Sequence, residues 1–286
     1  MRIAILGETS VIAQDMVERF KSGYDLYLYN RNNVQEFSKH DYDVVINFVG
    51  CGSPRKAVVM GADILRVTEE YDGMALKYLD AHPQTKYVFL SSGAAYGSDF
   101  NTPVNEDSVA CIPLNAKNIN WYSVAKIMAE CRHRARPQSI VDIRVFNYFS
   151  PRQSLDAGFM MTSMIDCILN TKKFYMARSP MVRDWISPED LSQLMEIIIH
   201  TPDINMAVDC YSSKPLSSIA LAQIMSTRFG LEWEYANLPV GKRNYFSTNY
   251  AAGELGYTPT KSSLETIVET SKIFLNSSVS TVGRAA

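Results

Sequence analysis

Short apolar runs alternate with amphipathic helical stretches through the first half of this 286-residue chain, and that alternation constrains the fold more than any other feature. The runs RIAILG, DLYLYN, DVVINFVG, KYVFLSS and SIVDIRVFN read as strands. Most of them are apolar through successive residues instead of every second one, the pattern of strands buried on both faces of a parallel sheet. Between them, VIAQDMVERF carries Val11, Ile12, Met16, Val17 and Phe20 on one helical stripe, and residues 60–81 and NWYSVAKIMAECRHRA are also helical. Strand and helix in turn imply an α/β fold with a doubly wound parallel sheet, in which ligands bind beyond the carboxyl ends of the strands.

After Asn147 the rhythm changes to helices with short strands: GFMMTSMIDCIL, ISPEDLSQLMEIII, MAVDCY, SIALAQIMSTRFG and SLETIVETSKIFL. We expect residues 1–148 to form a domain around this parallel sheet, with about 183–212 returning to it. Residues 149–276 should form a smaller mixed α/β substrate domain, and 277–286, rich in Ser, Thr and small residues, a flexible tail. Charged residues make up 20% of the chain, the net charge is −2, and no basic stripe appears, so nucleic acid is not an expected partner. No apolar run is long enough to span a membrane, and the run before Gly7 is too short for a signal peptide. Cys51, Cys111, Cys131, Cys167 and Cys210 are odd in number and widely spaced, as expected of reduced thiols in a cytoplasmic protein. The four histidines show no metal-ligand spacing.

GETSVIA joins the first strand to the first helix, where backbone amides can meet a pyrophosphate. Gly7 fills the first position of the glycine fingerprint, and Ser10 and Ala13 stand at the second and third, both small. At the end of the second strand an acidic residue would receive the adenosine ribose. Asn30, Arg31 and Asn32 are there instead, and an arginine suits a 2′-phosphate. NADP(H) is therefore favoured, with NAD(H) as the alternative. WYSVAK puts Tyr122 and Lys126 one helical turn apart on one face, where an ammonium can stabilise a phenolate. VFLSSGAAYG ends a core strand in two hydroxyls, Ser91 and Ser92, where a plain turn would satisfy packing alone.

These segments, in this order, resemble the extended short-chain dehydrogenase/reductases, the nucleotide-sugar epimerase, dehydratase and reductase group with a Rossmann-like fold. The resemblance runs from Arg2 to about Phe274. SSGAAYG is similar to the family's S-S-x-x-x-Y-G, YSVAK to its Y-x-x-x-K, IRVFNYFSP to R-x-x-N-x-x-G-P with Ser150 in place of glycine, and VRDWISPEDL to R-D-[FY]-[IV]-x-x-x-D. The resemblance implies that Ser92 hydrogen-bonds the reacting oxygen, that Tyr122 transfers its proton, and that Lys126 holds the nicotinamide ribose and tunes Tyr122. It implies cofactor contacts from Gly7, Thr9, Ser10, Val11, Ile12, Asn30, Arg31, Phe48, Val49 and Gly50, together with Tyr122 and Lys126. It implies substrate contacts from Ser92, Gly93, Ala94 and Asn147, with Arg183 and Arg243 on a nucleotide diphosphate. It also allows a homodimer.

Two departures refine these expectations. Ala94 and Ala95 occupy places where 4,6-dehydratases carry Asp and Glu, so dehydration lacks its acid and base. The link from Asn30 to Asp43 is too short for the family's usual extra strand and helix, so the sheet should be trimmed there. Asp72 or a neighbour falls where the family often has Asn. The Met160, Met161 and Met164 set, Trp185 and Trp233 read as core, and Glu69 and Glu70 as a solvated helix face. The leading expectation is an NADPH-dependent reductase of a nucleotide-linked 4-keto sugar. The alternatives are an NAD-dependent nucleotide-sugar 4-epimerase and, in another class, a non-enzymatic NAD(P) sensor.

Overall fold

A computed structural model describes residues 1–97, 100–113, 115, 117, 119–179, 181–237 and 244–282. The chain begins β1 (Arg2–Leu6), α1 (Val11–Phe20) and β2 (Asp25–Tyr29). A short 3-10 helix over Val34–Lys39 leads to β3 (Val44–Asn47). Then come α2 (Pro54–Met60), α3 (Asp63–Ala81) and β4 (Lys86–Ser92), a 3-10 turn over Gly93–Tyr96, α4 (Trp121–Arg134) and β5 (Ile140–Val145). Next are β6 (Asn147–Tyr148), α5 (Met160–Leu169), β7 (Phe174–Ala177), β8 (Val182–Arg183), β9 (Trp185–Ile186), α6 (Pro188–His200) and β10 (Asn205–Cys210). The chain closes with β11 (Leu216–Ser217), α7 (Ser218–Phe229), β12 (Trp233–Ala236), β13 (Asn244–Tyr245), α8 (Ala251–Glu254) and α9 (Ser263–Val282).

Among the described residues, six strands form one parallel sheet in the order β10-β5-β4-β3-β1-β2. Successive residues of each strand face opposite sides. Ile3, Ile5, Val44, Ile46, Val88 and Val141 meet Met16 and Phe20 of α1 and Leu191, Leu194 and Ile198 of α6. Ala4, Leu6, Val45, Tyr87 and Phe89 meet Leu76, Tyr78 and Leu79 of α3 and Ala129 of α4. Each large side chain buried this way contributes about 1.5–3 kcal/mol, which explains why the strands are apolar on both faces. The chain leaves β1 toward β2 on one side and then turns back through β3 and β4 on the other. That reversal opens a crevice at the carboxyl ends of β1 and β3.

Smaller sheets, β11-β8-β13, β12-β7 and β6-β9, stand beyond those ends. A separate core there contains Phe149, Met161, Met164 and Trp185, with Met160 and Trp233 packed against it. β2 is the edge strand, so the sheet is trimmed where the Asn30–Asp43 link is short. Two local expectations change. The helix expected over residues 60–81 is α3, which starts at Asp63 because Gly61, with φ +52°, ends a separate short helix, α2, that was not expected before it. The tail expected from residue 277 continues α9 to Val282, and 283–286 lie outside the described residues.

Candidate active site

The crevice is built first from the turn after β1. Gly7 has φ +80°, and a Cβ on it would stand 3.0 Å from both the amide nitrogen and Cγ2 of Val49. Only glycine lets the β1 and β3 ends approach this closely. The Gly7 and Glu8 amides both donate to the Tyr29 carbonyl, at 2.8 and 3.2 Å, which ties the turn to the end of β2. Ser10 caps α1 by accepting from the Ala13 amide at 3.2 Å. The Val11 and Ile12 amides, in the first turn, have no intrahelical acceptor, as at any helix start. Open amides beside a glycine that no side chain could replace suit a pyrophosphate, and the turn thus fits a dinucleotide. Thr9 is exposed. Val49 is fixed through its amide to Asn47 Oδ1 at 2.8 Å, and a Cβ on Gly50 would lie 3.7 Å from Lys126 Nζ. Phe48, expected among the cofactor contacts, is packed in the core with its amide on the Leu6 carbonyl, so its side chain is not available to a ligand.

Asn30 and Arg31 follow β2. Arg31 is exposed. Asn30 donates through Nδ2 to Glu8 Oε1 at 2.7 Å. Nothing in the residues after β2 marks this carboxylate at the strand end, because Glu8 belongs to the turn after β1.

Ser92 ends β4 and caps the following 3-10 turn, accepting from the Ala94 amide at 3.2 Å. The two serines divide by the strand's period of two. Ser91 donates to Glu130 Oε1 at 2.5 Å on the helix side, and Ser92 faces the crevice. Tyr122 lies in the first turn of α4, which Asn120 caps by accepting from the Ser123 amide at 3.2 Å. The Ser92 hydroxyl lies near enough to Tyr122 to favour its ionised form. Lys126, one turn on, holds Nζ 5.7 Å from the Tyr122 ring centroid. The three expected residues therefore converge at one strand end. The expected tuning does not hold in the protein alone. Burial pushes the Tyr122 hydroxyl above its ordinary value, and Ser92 only partly opposes it. Lys126 spends its charge elsewhere, donating to the Leu90 carbonyl at 2.7 Å and lying over the Phe89 ring. Burial lowers its own value to about 8.

The floor of the crevice is aromatic. Gly93 lies flat on Phe146, whose ring a Cβ would meet at 2.4 Å. Ala94 and Ala95 are buried and carry no ionisable group. Tyr245, from β13, places its hydroxyl 3.4 Å from Ser92 Oγ and its ring against Phe100 and Phe146. Sequence reasoning missed Tyr245, since nothing local to NYF marks it. Asn147 donates to the Asp184 carbonyl at 2.9 Å and so joins β6 to β9. Arg183 spreads over the Tyr245 ring at 5.6 Å and donates to the Val182 carbonyl. Among the described residues no carboxylate pairs with it. Arg243 lies outside the described residues.

Behind the site, His133 is fully buried between two aspartates. Nδ1 lies 2.6 Å from Asp142 Oδ1 and Nε2 2.7 Å from Asp72 Oδ1. Burial alone would lower its pKa, but both carboxylates together outweigh burial and raise it to about 9. Tyr87 donates to Asp72, and Asn47 Nδ2 donates to Tyr87. Asp72 is thus part of the scaffold and is not a cofactor contact. Asp209, in β10, accepts from Tyr96 at 2.8 Å and from Ser247. Among the described residues no group of His, Cys, Asp and Glu could hold a metal ion, and no helix is long and apolar enough to cross a membrane.

Several known proteins share this architecture. UDP-glucose 4-epimerase from Thermotoga maritima, solved with UDP-glucose, superposes with a TM-score of 0.82 at 19% identity, over 97% of this chain and 99% of its own. A UDP-N-acetylglucosamine 4-epimerase from Methanobrevibacter ruminantium, in complex with UDP-N-acetylmuramic acid, gives 0.82 at 17%, over 96% and 98%. dTDP-glucose 4,6-dehydratase from Bacillus anthracis, in complex with NAD, gives 0.78 at 16%, over 96% and 97%. By sequence, UDP-glucose 4-epimerase 4 of Oryza sativa subsp. japonica is 32% identical over 132 residues, which is 43% of this chain and 32% of the rice protein. The match thus spans about a third of that curated relative. The profile of the NAD dependent epimerase/dehydratase family matches residues 7–208, from the glycine of the dinucleotide turn to the last strand of the sheet, and the chain belongs to that family.

Proposed function

We propose that this protein is an NAD-dependent epimerase that inverts C4 of a nucleotide-linked sugar. The observation that carries the reading is the convergence of Ser92, Tyr122 and Lys126 beside the glycine turn. Bound NAD would supply a hydride acceptor and return the hydride to the same carbon. Ser92 orients the sugar hydroxyl, and Tyr122 takes its proton and gives it back. Lys126, fixed on the Leu90 carbonyl and close to Gly50, binds the nicotinamide ribose. Tyr245 and Phe146 enclose the sugar, and Arg183 holds the diphosphate. The epimerases among the relatives, which bind UDP sugars, support this reading over the reductase. The reductase reading rests on Arg31 and a 2′-phosphate, yet Arg31 is exposed and a carboxylate stands beside Asn30.

The test is to incubate the protein with a panel of nucleotide hexoses and catalytic NAD, and to follow the sugars by NMR. Interconversion of C4 epimers without loss of water is expected, because Ala94 and Ala95 offer no acid or base for dehydration. Stoichiometric consumption of NADPH with a supplied 4-keto sugar, and no inversion, would establish the reductase instead. A dehydrated product would show that acids from elsewhere reach C5 and C6.

Arg183→Ala should weaken binding of UDP about 10- to 100-fold by calorimetry, since a charge-assisted contact is worth ~1.5–3 kcal/mol. Unchanged affinity would remove Arg183 from the diphosphate site.

A further inference from the structure

We propose that Glu8, the residue after the turn glycine, selects NAD over NADP by taking the place of the acidic residue that this chain lacks at the end of β2. The inference rests on the dinucleotide site of the functional reading and adds to it the residue that discriminates. In sheets of this kind, an acceptor at the end of the second strand receives the ribose 2′-hydroxyl. In this chain the residues there are Asn30, Arg31 and Asn32, none of them acidic. The backbone nevertheless carries a carboxylate to the same point. The Glu8 amide is bonded to the Tyr29 carbonyl, and Glu8 Oε1 accepts from Asn30 Nδ2 at 2.7 Å.

Asn30 cannot turn away from this contact without cost. Its Oδ1 accepts from the Asn32 amide at 2.8 Å, so Nδ2 is the only group that it can present to Glu8. Its own amide donates to Asn33 Oδ1 at 2.7 Å, and Asn33 Nδ2 donates to the Leu28 carbonyl at 2.9 Å. The loop therefore holds the amide, and the amide holds the carboxylate.

Among the described residues no cation pairs with Glu8, and only Oε1 is engaged. The second oxygen is an acceptor next to the strand end. A ribose hydroxyl is a donor and suits it. A 2′-phosphate brings more negative charge, which an unpaired carboxylate repels. Arg31, exposed on the solvent side, has no comparable anchoring within the turn.

The protein, as purified, is equilibrated with equal concentrations of NAD and NADP, freed of unbound ligand and denatured. The released dinucleotides are then quantified by mass spectrometry. NAD should exceed NADP by about 10- to 100-fold, the range of one charge-assisted contact. Glu8→Gln keeps the shape and the bond to Asn30 but removes the charge, and should shift the ratio at least tenfold toward NADP. Arg31→Ala should leave the preference for NAD in place. An unchanged ratio in Glu8→Gln, or an unmutated protein that retains mainly NADP, would overturn the proposal. NAD retained without C4 inversion would overturn the epimerase reading and leave the role of Glu8 standing. Retention of neither dinucleotide would overturn both.

Discussion

Tyr122→Phe will lower turnover by about 100- to 10,000-fold, the range for loss of a general acid or base, while NAD binding stays almost unchanged. The substitution removes only the hydroxyl that lies within reach of Ser92, and leaves the ring that stands 5.7 Å from Lys126 Nζ. The measurement is turnover with the sugar pair identified in the epimerase assay, alongside dinucleotide retention. Tyr245→Phe is the matched control, because its hydroxyl is 3.4 Å from Ser92 Oγ and is the other phenol at the site. If Tyr245→Phe lost as much rate and Tyr122→Phe kept more than a tenth of its activity, the proton would pass through Tyr245. Burial pushes both hydroxyls up, so neither phenol is ionised at neutral pH in the protein alone. In the proposed reaction, bound oxidised NAD would supply the positive charge that favours ionisation of Tyr122.

His133→Leu will destabilise the fold by about 3–5 kcal/mol, the cost of leaving buried charges without their partner. Asp142 keeps Arg134, whose Nη2 is at 2.7 Å, but among the described residues Asp72 keeps only the Tyr87 hydroxyl and the more distant Arg132. The effect depends on pH in a defined direction. His133 has a folded pKa near 9 against an ordinary value near 6.5. Its stabilisation is complete below pH 6.5, about 3 kcal/mol on this difference, and is lost as pH rises through 9. Urea denaturation at pH 6.5 and pH 10 should show a larger loss of stability with pH in the unmutated protein than in His133→Leu. Equal losses would mean that His133 is neutral in the fold.

The doubly wound sheet was readable because strands buried on both faces must be apolar throughout, and that constraint is local. Ser92, Tyr122 and Lys126 were readable because their order and spacing are fixed by one strand end and one helical turn. Glu130 and His133 continue the face of Lys126 at spacings of four and three, so α4 presents a polar stripe to the sheet. The stripe is visible in the sequence, but its partners Asp72 and Asp142 lie in other elements, and without them a polar helical face reads as solvated. Glu8 and Tyr245 were hidden for a related reason. Each reaches its place through backbone contacts with a distant strand end or a second small sheet, and their neighbours in sequence say nothing of either.

The position of β10 has a consequence for synthesis. It pairs with β5 in register from Asn205–Ile140 to Cys210–Val145, with α5 and α6 threaded between them. As the chain leaves the ribosome, β1 to β5 can assemble while the outer edge of β5 has no neighbour until residues 205–210 emerge. That edge is the sequence IVDIRV, buried along most of its length in the finished protein. A strand edge whose backbone donors and acceptors have no partner is a template for pairing with other chains. Closure over so long a separation is also slow. Nascent chains that stop before β10 should therefore be the ones that aggregate or engage chaperones, and completion of β10 marks the point in translation at which the β5 edge is paired.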